Sequence, residues 1–420
     1  MSNRLILCLA FCLLMAFKTF ATQILVPMDE TQKDHLKAYG VAYWVLQNQQ
    51  EVDWLLNYRG GSFAFVHAAK IENELNVRGV SYTVISDAQY SSIVAQINSP
   101  EANMDVMKLE KMPKIAVYSP KMAKPGADAV TLVLKYAEIP YDIVFDEEVL
   151  DQKLAKYDWL HLHHEDFTGQ YGKAWGRRRS QERIMEQQEA ERITHKYGYA
   201  KVSNMKLGVA KKIKEFVAGG GFMFAMCSAT DTYDIALSAE GIDIVDEMYD
   251  GDGIDPQAQQ KLDFSKTFAF QNYTITLSPG ERGFSSIDNN RWDRNIDRSN
   301  DYFALFTFSA KWDPVPTMLT QNHEKTIKGF MGQTTAFKKD QIKPEANIMA
   351  ETKSVNEVRY MNGTAGKGTW TFYGGHDPEA YQSRGEDNPT DLSLHPNSPG
   401  YRLILNNILF PAAKKKKQKT

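Results

Sequence analysis

The chain has 420 residues, of which 43% are hydrophobic and 24% charged, a balance typical of a folded globular protein with two or three domains. The 11% of aromatic residues, with 27 glycines and 16 prolines, exclude a disordered or collagen-like protein. The formal net charge of −3 provides no overall field that would attract nucleic acid. We therefore expect no nucleic-acid partner and no cofactor. A small molecule, a peptide or a glycan remains open as the ligand.

The first residues have the pattern of a secretory signal. Arg4 supplies a positive charge, residues 5–17 form an uncharged apolar run, and Ala21 ends a small-residue cleavage site. The apolar run is too short to span a membrane comfortably, although an uncleaved anchor stays open. We expect residues 1–21 to be removed, the protein to be exported to the periplasm or the cell exterior, and no stable membrane span to remain.

Removal of the signal would leave Cys227 as the single cysteine. An exported protein with one cysteine forms no internal disulfide, so this thiol calls for an explanation. It is either a buried, inert packing residue or a reactive group.

Residues 22–112 predict a small N-terminal α/β unit. Short apolar runs at residues 23–28, 52–58 and 82–85 have strand character, and the segments between them have helical spacing. The polar segment 98–112 predicts the boundary of this unit.

Residues 113–412 predict a second domain built on a doubly wound parallel sheet. Apolar strands are expected at 114–119, 141–145, 158–163 and 222–226, with amphipathic helices at 127–138 and 206–218. Two insertions interrupt this alternation. The first, 167–205, is charged and helical; the second, 250–365, is predicted to be rich in irregular β structure with strands at 267–277 and 302–308. Residues 413–420 form a basic tail.

Cys227 lies where the strand 222–226 meets a predicted helix. A nucleophile at such a turn needs small residues two positions before and after it, and Ala225 and Ala229 meet that need. The helix N-terminus would lower the thiol pKa and offer backbone N–H groups, including that of Ser228. These features indicate a nucleophilic cysteine, with a packed cysteine as the alternative.

A histidine follows the predicted strand Thr369–Tyr373 and a Gly-Gly pair. At the carboxyl edge of a sheet, His376 can act as general base to a thiol, and a nearby carboxylate can orient its ring. Glu379 is the first choice for that carboxylate and Asp377 the second. The alternative is a loop histidine that caps the next helix.

Polar residues also end the strand 158–163. His161 and His163 share one face of the strand, and His164 takes the other. We expect His163, His164 and Glu165 to contact a ligand, together with Ser228 and Asp377 of the other two segments. The leading interpretation needs no metal; a metal-dependent hydrolase that uses the three histidines is an alternative.

These motifs resemble the class I glutamine amidotransferase-like superfamily. The resemblance covers 114–412 and rests on the strand at Lys114, the turn at Cys227 and His376 followed by Pro378-Glu379. It implies a flavodoxin-like fold and a Cys–His–Glu triad of Cys227, His376 and Glu379. The family pattern is His-Pro-Glu, and here Asp377 is inserted. The Tyr-Gly-Gly-His ending is more similar to the ThuA-like branch, in which the triad is often incomplete.

The whole chain also resembles exported bacterial proteins labelled asparagine synthetase B. Its residues do not support that activity, because it has no Ser-Gly-Gly-x-Asp-Ser phosphate loop and Ser2 stands where a nucleophilic cysteine is needed.

The sequence thus predicts thiol-dependent hydrolysis of an amide or related acyl bond. The main alternative is a non-catalytic glycan- or peptide-binding module, in which Tyr273, Trp292 and Trp312 would stack on sugars.

Overall fold

A computed structural model describes residues 22–121, 128–171, 173, 181–281, 283–289, 298–380 and 389–414. The predicted signal at 1–21, most of the basic tail and Trp292 lie outside the described residues.

The N-terminal residues form a five-stranded sheet in the order β4-β1-β3-β2-β5, and every pair in it is antiparallel. Its strands are β1 (Thr22–Val26), β2 (Val52–Leu56), β3 (Ser62–Val66), β4 (Thr83–Ser86) and β5 (Asp105–Leu109). Helices α1 (His35–Gln47), α2 (Ala69–Arg78) and α3 (Asp87–Ile97) accompany it. The polar segment 98–112, where we expect the boundary of this unit, contains β5, a half-buried edge strand in which polar and apolar residues alternate.

The rest of the chain builds one ten-stranded mixed sheet. Its strands are β6 (Ile115–Tyr118), β7 (Asp142–Val144), β8 (Trp159–Leu162), β9 (Phe222–Met226), β10 (Tyr302–Leu305), β11 (Thr326–Lys328), β12 (Phe337–Lys338), β13 (Asn347–Thr352), β14 (Glu357–Ala365) and β15 (Gly368–Tyr373). Strands β7, β6, β8, β9 and β15 are neighbours in that order and run parallel. The apolar runs predicted for β6 to β9 are these strands. Strands β6 and β8 are fully buried, β9 is buried apart from the half-buried Phe222, and β7 is buried only at Val144.

Helices follow the parallel strands. They are α4 (Ala129–Tyr136), α5 (Asp146–Leu150), α6 (Gln181–Lys196), α7 (Val202–Gly219) and α8 (Ala229–Ser238), and further along the chain α9 (Glu247–Asp250), α10 (Ala258–Lys261), α11 (Pro314–Leu319) and α12 (Pro399–Leu409). Among the residues that the structure describes, none of the helices has the length and apolar character required to cross a membrane.

The insertion 250–365 extends the same sheet. Strand β15 pairs antiparallel with β14, and β13, β10 and β11 continue from there. The strand expected at 267–277 is wrong, because this segment makes only single bridges, from Phe270 to Ile342 and from Ile275 to Ser285. The protein is therefore a mixed α/β protein with one antiparallel and one mixed sheet.

The N-terminal unit and the second sheet share one continuous apolar core. Leu36 of α1, Val130 of α4 and Leu405 of α12 belong to the same buried cluster. Arg402 on α12 is fully buried and donates to the carbonyl of Met28 at 2.8 Å. These contacts fix the N-terminal unit against α12.

Candidate active site

The carboxyl ends of the parallel strands bring polar residues to one edge of the large sheet. His163 follows β8, Cys227 follows β9, and His376 follows β15 after two glycines. Asp128 immediately precedes α4, the helix after β6. Ligands of open α/β sheets bind at this kind of edge, so these four residues define the candidate active site.

Cys227 occupies a strained turn between β9 and α8. Its φ of 51° lies in the left-handed region, which is uncommon for a residue other than glycine and is found at functional turns. Hydrogen bonds on both sides hold the turn: Cys227 N donates to the carbonyl of Gly375 at 3.1 Å, and Ala229 N donates to the carbonyl of His163 at 3.0 Å. The thiol is thereby held at one position above the sheet.

Cys227 is 4% exposed, and its thiol lies close enough to the ring of His376 for the two groups to shift each other's pKa. Burial alone would raise the pKa of Cys227, but His376 and the backbone N–H groups of Gln333 and Ser228 lower it below its usual value. Burial alone would lower the pKa of His376, but the sulfur beside it raises that pKa. Each group therefore favours the charged form of the other, thiolate and imidazolium, more than it would if the two were held apart.

The second ring nitrogen of His376 faces another histidine. His376 Nδ1 lies 2.7 Å from His163 Nε2. The expected orienting residue, Glu379, instead has its carboxylate 3.3 Å from His395 Nδ1. Asp377, the second choice, accepts from the hydroxyl of Tyr401 at 2.8 Å. The position that either carboxylate was expected to hold is occupied by His163.

His163 is in turn backed by His161 and Asp128, all three buried. His161 Nε2 lies 3.0 Å from Asp128 Oδ2, and His163 Nδ1 lies 3.5 Å from Asp128 Oδ1. Burial would raise the pKa of Asp128, but the two histidines bring it well below its usual range. Burial is also the main reason that the pKa of His163 is lowered well below that of a free histidine.

The sequence reasoning missed Asp128, although a local signal exists. Asp128 is the N-cap of α4, where its carboxylate accepts from Val130 N at 2.6 Å. An acidic N-cap after a parallel strand lies at the carboxyl edge, so the same argument that selected His163 would have selected it.

The residues predicted as ligand contacts differ in their burial and in their hydrogen bonds. His164 is half-buried; its carbonyl accepts from Ser228 Oγ at 3.1 Å, and its Nδ1 has no hydrogen-bond partner within the described part of the chain. Glu165 is buried and accepts from His163 N at 2.9 Å, and burial raises its pKa. Glu165 thus braces the loop after β8, and the roles of His164 and Ser228 in ligand binding stay predictions.

Gln333 and Asp231 also lie at the site and were not selected from the sequence. Gln333 belongs to a segment that packs on the loop after β15, where His376 N donates to the carbonyl of Met331 at 2.9 Å. No local sequence pattern predicts that Gln333 lies near Cys227. Asp231, in the first turn of α8, is buried, which raises its pKa to about 7, while Thr334 donates to it at 3.2 Å.

The aromatic residues expected to stack on sugars do not form a platform among the described residues. Tyr273 is 1% exposed and packs in the core, whereas Trp312 is 73% exposed. A buried tyrosine cannot stack on a ligand, so this alternative loses one of its residues.

No protein-family model matches this chain, and no curated protein matches it. Solved structures with related backbones include the cytoplasmic protein STM3548 from Salmonella typhimurium, with 11% identity and a TM-score of 0.37 over 72% of this chain and 100% of that chain. The cytoplasmic protein STM1381 from Salmonella typhimurium LT2 has 12% identity and a TM-score of 0.39 over the same shares, 72% and 100%. A beta-galactosidase from Rahnella sp. R3 has 11% identity and a TM-score of 0.25, covering 84% of this chain and 48% of that chain.

Proposed function

We propose that this protein is a thiol-dependent hydrolase that cleaves an amide or related acyl bond, with Cys227 as nucleophile. The observation that carries the proposal is the strained turn at Cys227, whose N–H donates to the carbonyl of Gly375 at 3.1 Å and so sets the thiol beside His376. A packed, inert cysteine requires neither the strained φ nor an imidazole partner. A nucleophile requires both a fixed position and a neighbouring base.

The residues support a two-step reaction. The thiolate of Cys227 attacks the carbonyl carbon of the substrate, and a C–S bond forms. The backbone N–H groups of Ser228 and Gln333, which lie near enough to the sulfur to lower its pKa, would stabilise the negative oxygen that develops. The C–N bond then breaks as His376 gives its proton to the leaving amine. Water attacks the thioester with His376 as base, which releases the acid and restores the cysteine.

His163 takes the place that the family triad gives to a glutamate. Its Nε2 holds His376 Nδ1 at 2.7 Å, which fixes the orientation of the His376 ring toward the sulfur. Asp128 stands behind His163 and supplies the negative charge of the site. The proposed relay is therefore Cys227–His376–His163–Asp128, and Glu379 is outside it.

We also propose that residues 113–412 have the flavodoxin-like fold of the class I glutamine amidotransferase-like superfamily, as the ThuA-like motifs imply. In support, the parallel strands follow the order β7-β6-β8-β9-β15, which is 2-1-3-4-5 when counted within this domain. The antiparallel strands β14, β13, β10 and β11 would then be the β-rich addition to that fold.

Alkylation of the thiol tests the function. We expect iodoacetamide at neutral pH to modify Cys227 at least about ten times faster than free cysteine, because the pair favours the thiolate. His376→Gln should remove that advantage, whereas His395→Gln, which changes a histidine near Glu379, should keep it. Wild-type protein should release amine from a panel of amide, ester and thioester substrates that includes glutamine, and Cys227→Ala should not.

The proposal fails if folded wild-type protein resists iodoacetamide until it is denatured, or if Cys227→Ala retains the hydrolytic rate. Ligand binding that is unchanged in Cys227→Ala, with no turnover by wild-type protein, would favour the binding-module alternative.

Export is a further part of the proposal. The charge, apolar run and small residues of 1–21 support it. Expression of the whole chain in a Gram-negative host should give periplasmic protein whose first residue is Thr22. Protein that stays in the cytosol with its N-terminus intact would contradict it.

A further inference from the structure

Three buried side chains behind His376 direct their polar atoms at one point. His161 Nε2 lies 3.0 Å from Asp128 Oδ2 and 3.3 Å from His163 Nδ1, and His163 Nδ1 lies 3.5 Å from Asp128 Oδ1. A tetrahedral Zn²⁺ with bonds of about 2.0–2.1 Å has ligands about 3.3–3.4 Å apart. The two histidine nitrogens have this separation, and each lies 3.0 or 3.5 Å from one of the two Asp128 oxygens, so the three side chains can supply ligands to one metal ion.

The second nitrogen of each histidine supports the same assignment. His161 Nδ1 lies 3.1 Å from the carbonyl of Phe224, and because a carbonyl only accepts, this nitrogen carries a proton. A neutral His161 therefore presents a lone pair at Nε2, toward Asp128 and His163. Metal-bound histidines are usually held in this way, with the remote N–H donated to a backbone carbonyl.

Hydrogen bonds alone satisfy this cluster poorly. Without a metal, His161 needs a second proton at Nε2 to bond with Asp128. The proton on His163 Nδ1 then has two neighbours, and neither is a good acceptor. Asp128 Oδ1, at 3.5 Å, is beyond the normal hydrogen-bond range, and His161 Nε2 already carries a proton. A dication at the centre would accept all three lone pairs and balance the carboxylate in a site without solvent.

We propose that Asp128, His161 and His163 form a binding site for a divalent transition metal, with Zn²⁺ the ion that best matches the spacing. Two imidazoles and one carboxylate leave one coordination position of a tetrahedral ion, for which no described residue stands as a further ligand. The metal alternative expected from the sequence used His164; in this site Asp128 takes its place.

Two other clusters are weaker candidates. His163, His164 and His376 also converge, but His163 Nε2 and His376 Nδ1 are 2.7 Å apart, too close for two ligands of one ion and suited to a hydrogen bond. Asp243 and Asp250, with Asp252, surround the ammonium of Lys201, which already supplies the positive charge there.

A metal in this site would act on His376 through His163. His163 Nε2 lies 2.7 Å from His376 Nδ1, so a metal ion on His163 Nδ1 would influence the protonation of His376. Metal binding is measured without any substrate, so its test is independent of the test of the proposed hydrolysis.

Equilibrium dialysis of the full chain against Zn²⁺, followed by elemental analysis, tests the site. We expect about one Zn²⁺ per wild-type chain. Asp128→Asn and His161→Gln should weaken binding more than about 100-fold, because even residues that only support a ligand contribute 10–100-fold. Cys227→Ala and the matched control His164→Gln should bind as wild type does. Co²⁺ should give the visible absorption of a tetrahedral ion in wild type and lose it in Asp128→Asn.

Circular dichroism separates loss of a ligand from loss of folding in the buried variants. If His161→Gln is unfolded, metal binding is judged from Asp128→Asn alone, which changes the N-cap of α4. The proposal is overturned if wild-type protein binds no Zn²⁺ and no Co²⁺, or if Asp128→Asn and His164→Gln bind equally. Neither result tests the proposed hydrolysis, because the reactivity of Cys227 is measured separately by alkylation and by substrate turnover.

Discussion

The stacked histidines His35 and His323 make the stability of the fold depend on pH. Their rings lie 4.1 Å apart between the N-terminal unit and α12, and His323 Nδ1 faces Arg402 Nη1 at 3.2 Å. Burial, with the charge of Arg402, lowers the pKa of His35 to about 4. Burial, with His35 and Arg402, lowers the pKa of His323 to about 3. Both histidines are therefore neutral in the folded protein at neutral pH.

The direction and size of the effect follow from linkage. A folded pKa below the unfolded value of 6.5 gives a stability that is fully present above pH 6.5 and is lost as the pH falls toward the folded pKa. At pH 5, about 1.5 units below the unfolded pKa of 6.5, both histidines are protonated in the unfolded chain, and this protonation stabilises the unfolded state. At 1.36 kcal/mol per unit, each histidine costs about 2 kcal/mol of unfolding free energy between pH 7.5 and pH 5.

Urea unfolding followed by circular dichroism at both pH values measures this loss. His323→Asn keeps an acceptor for Arg402 but cannot titrate, so its loss between pH 7.5 and pH 5 should be about 2 kcal/mol smaller than that of wild type. The control, His195→Asn, changes an exposed histidine of α6 and should lose as much as wild type. Equal losses in wild type and His323→Asn would refute the reasoning.

Two further predictions concern the candidate active site. His163→Gln should slow alkylation of the thiol at least about tenfold, whereas Glu379→Gln should leave the rate within about twofold, because His163 lies beside the His376 ring and Glu379 lies beside His395. Alkylation rates of the two variants measure this difference. A larger effect of Glu379→Gln would instead support the triad of Cys227, His376 and Glu379. Gly375→Ala should cost about 2–4 kcal/mol in urea unfolding, because its φ is 103° and a Cβ would lie 2.4 Å from a side-chain carbon of Phe330. Gly241→Ala, at a φ of 81° with open space around it, should lower the unfolding free energy by only about 1 kcal/mol. Equal losses in the two variants would show that the loop at Gly375 can move to accept a Cβ.

Local sequence signals were enough for the elements that carry Cys227 and His376. The apolar run 222–226, the small residues around Cys227 and the Gly-Gly pair before His376 are short-range patterns, and each sets the backbone of its own segment. Because the carboxyl ends of parallel strands meet at one edge, these segments could be assigned to one site before the fold was known. The N-terminal sheet was only partly predictable, since the polar face of β5 resembles a loop.

The tertiary structure alone decided which group lies beside the ring of His376. Glu379 is three residues from His376 in sequence. However, the Asp377 side chain accepts from Glu379 N at 3.0 Å and forms a local turn, and the Glu379 carboxylate lies against His395. His163, more than two hundred residues away, takes its place because β8 and β9 are hydrogen-bonded neighbours, and β9 pairs in turn with β15. Strand order is set by the packing of the whole chain, and no local spacing encodes it. The approach of Gln333 to the sulfur, and the meeting of Asp128 with His161, depend on that same long-range pairing.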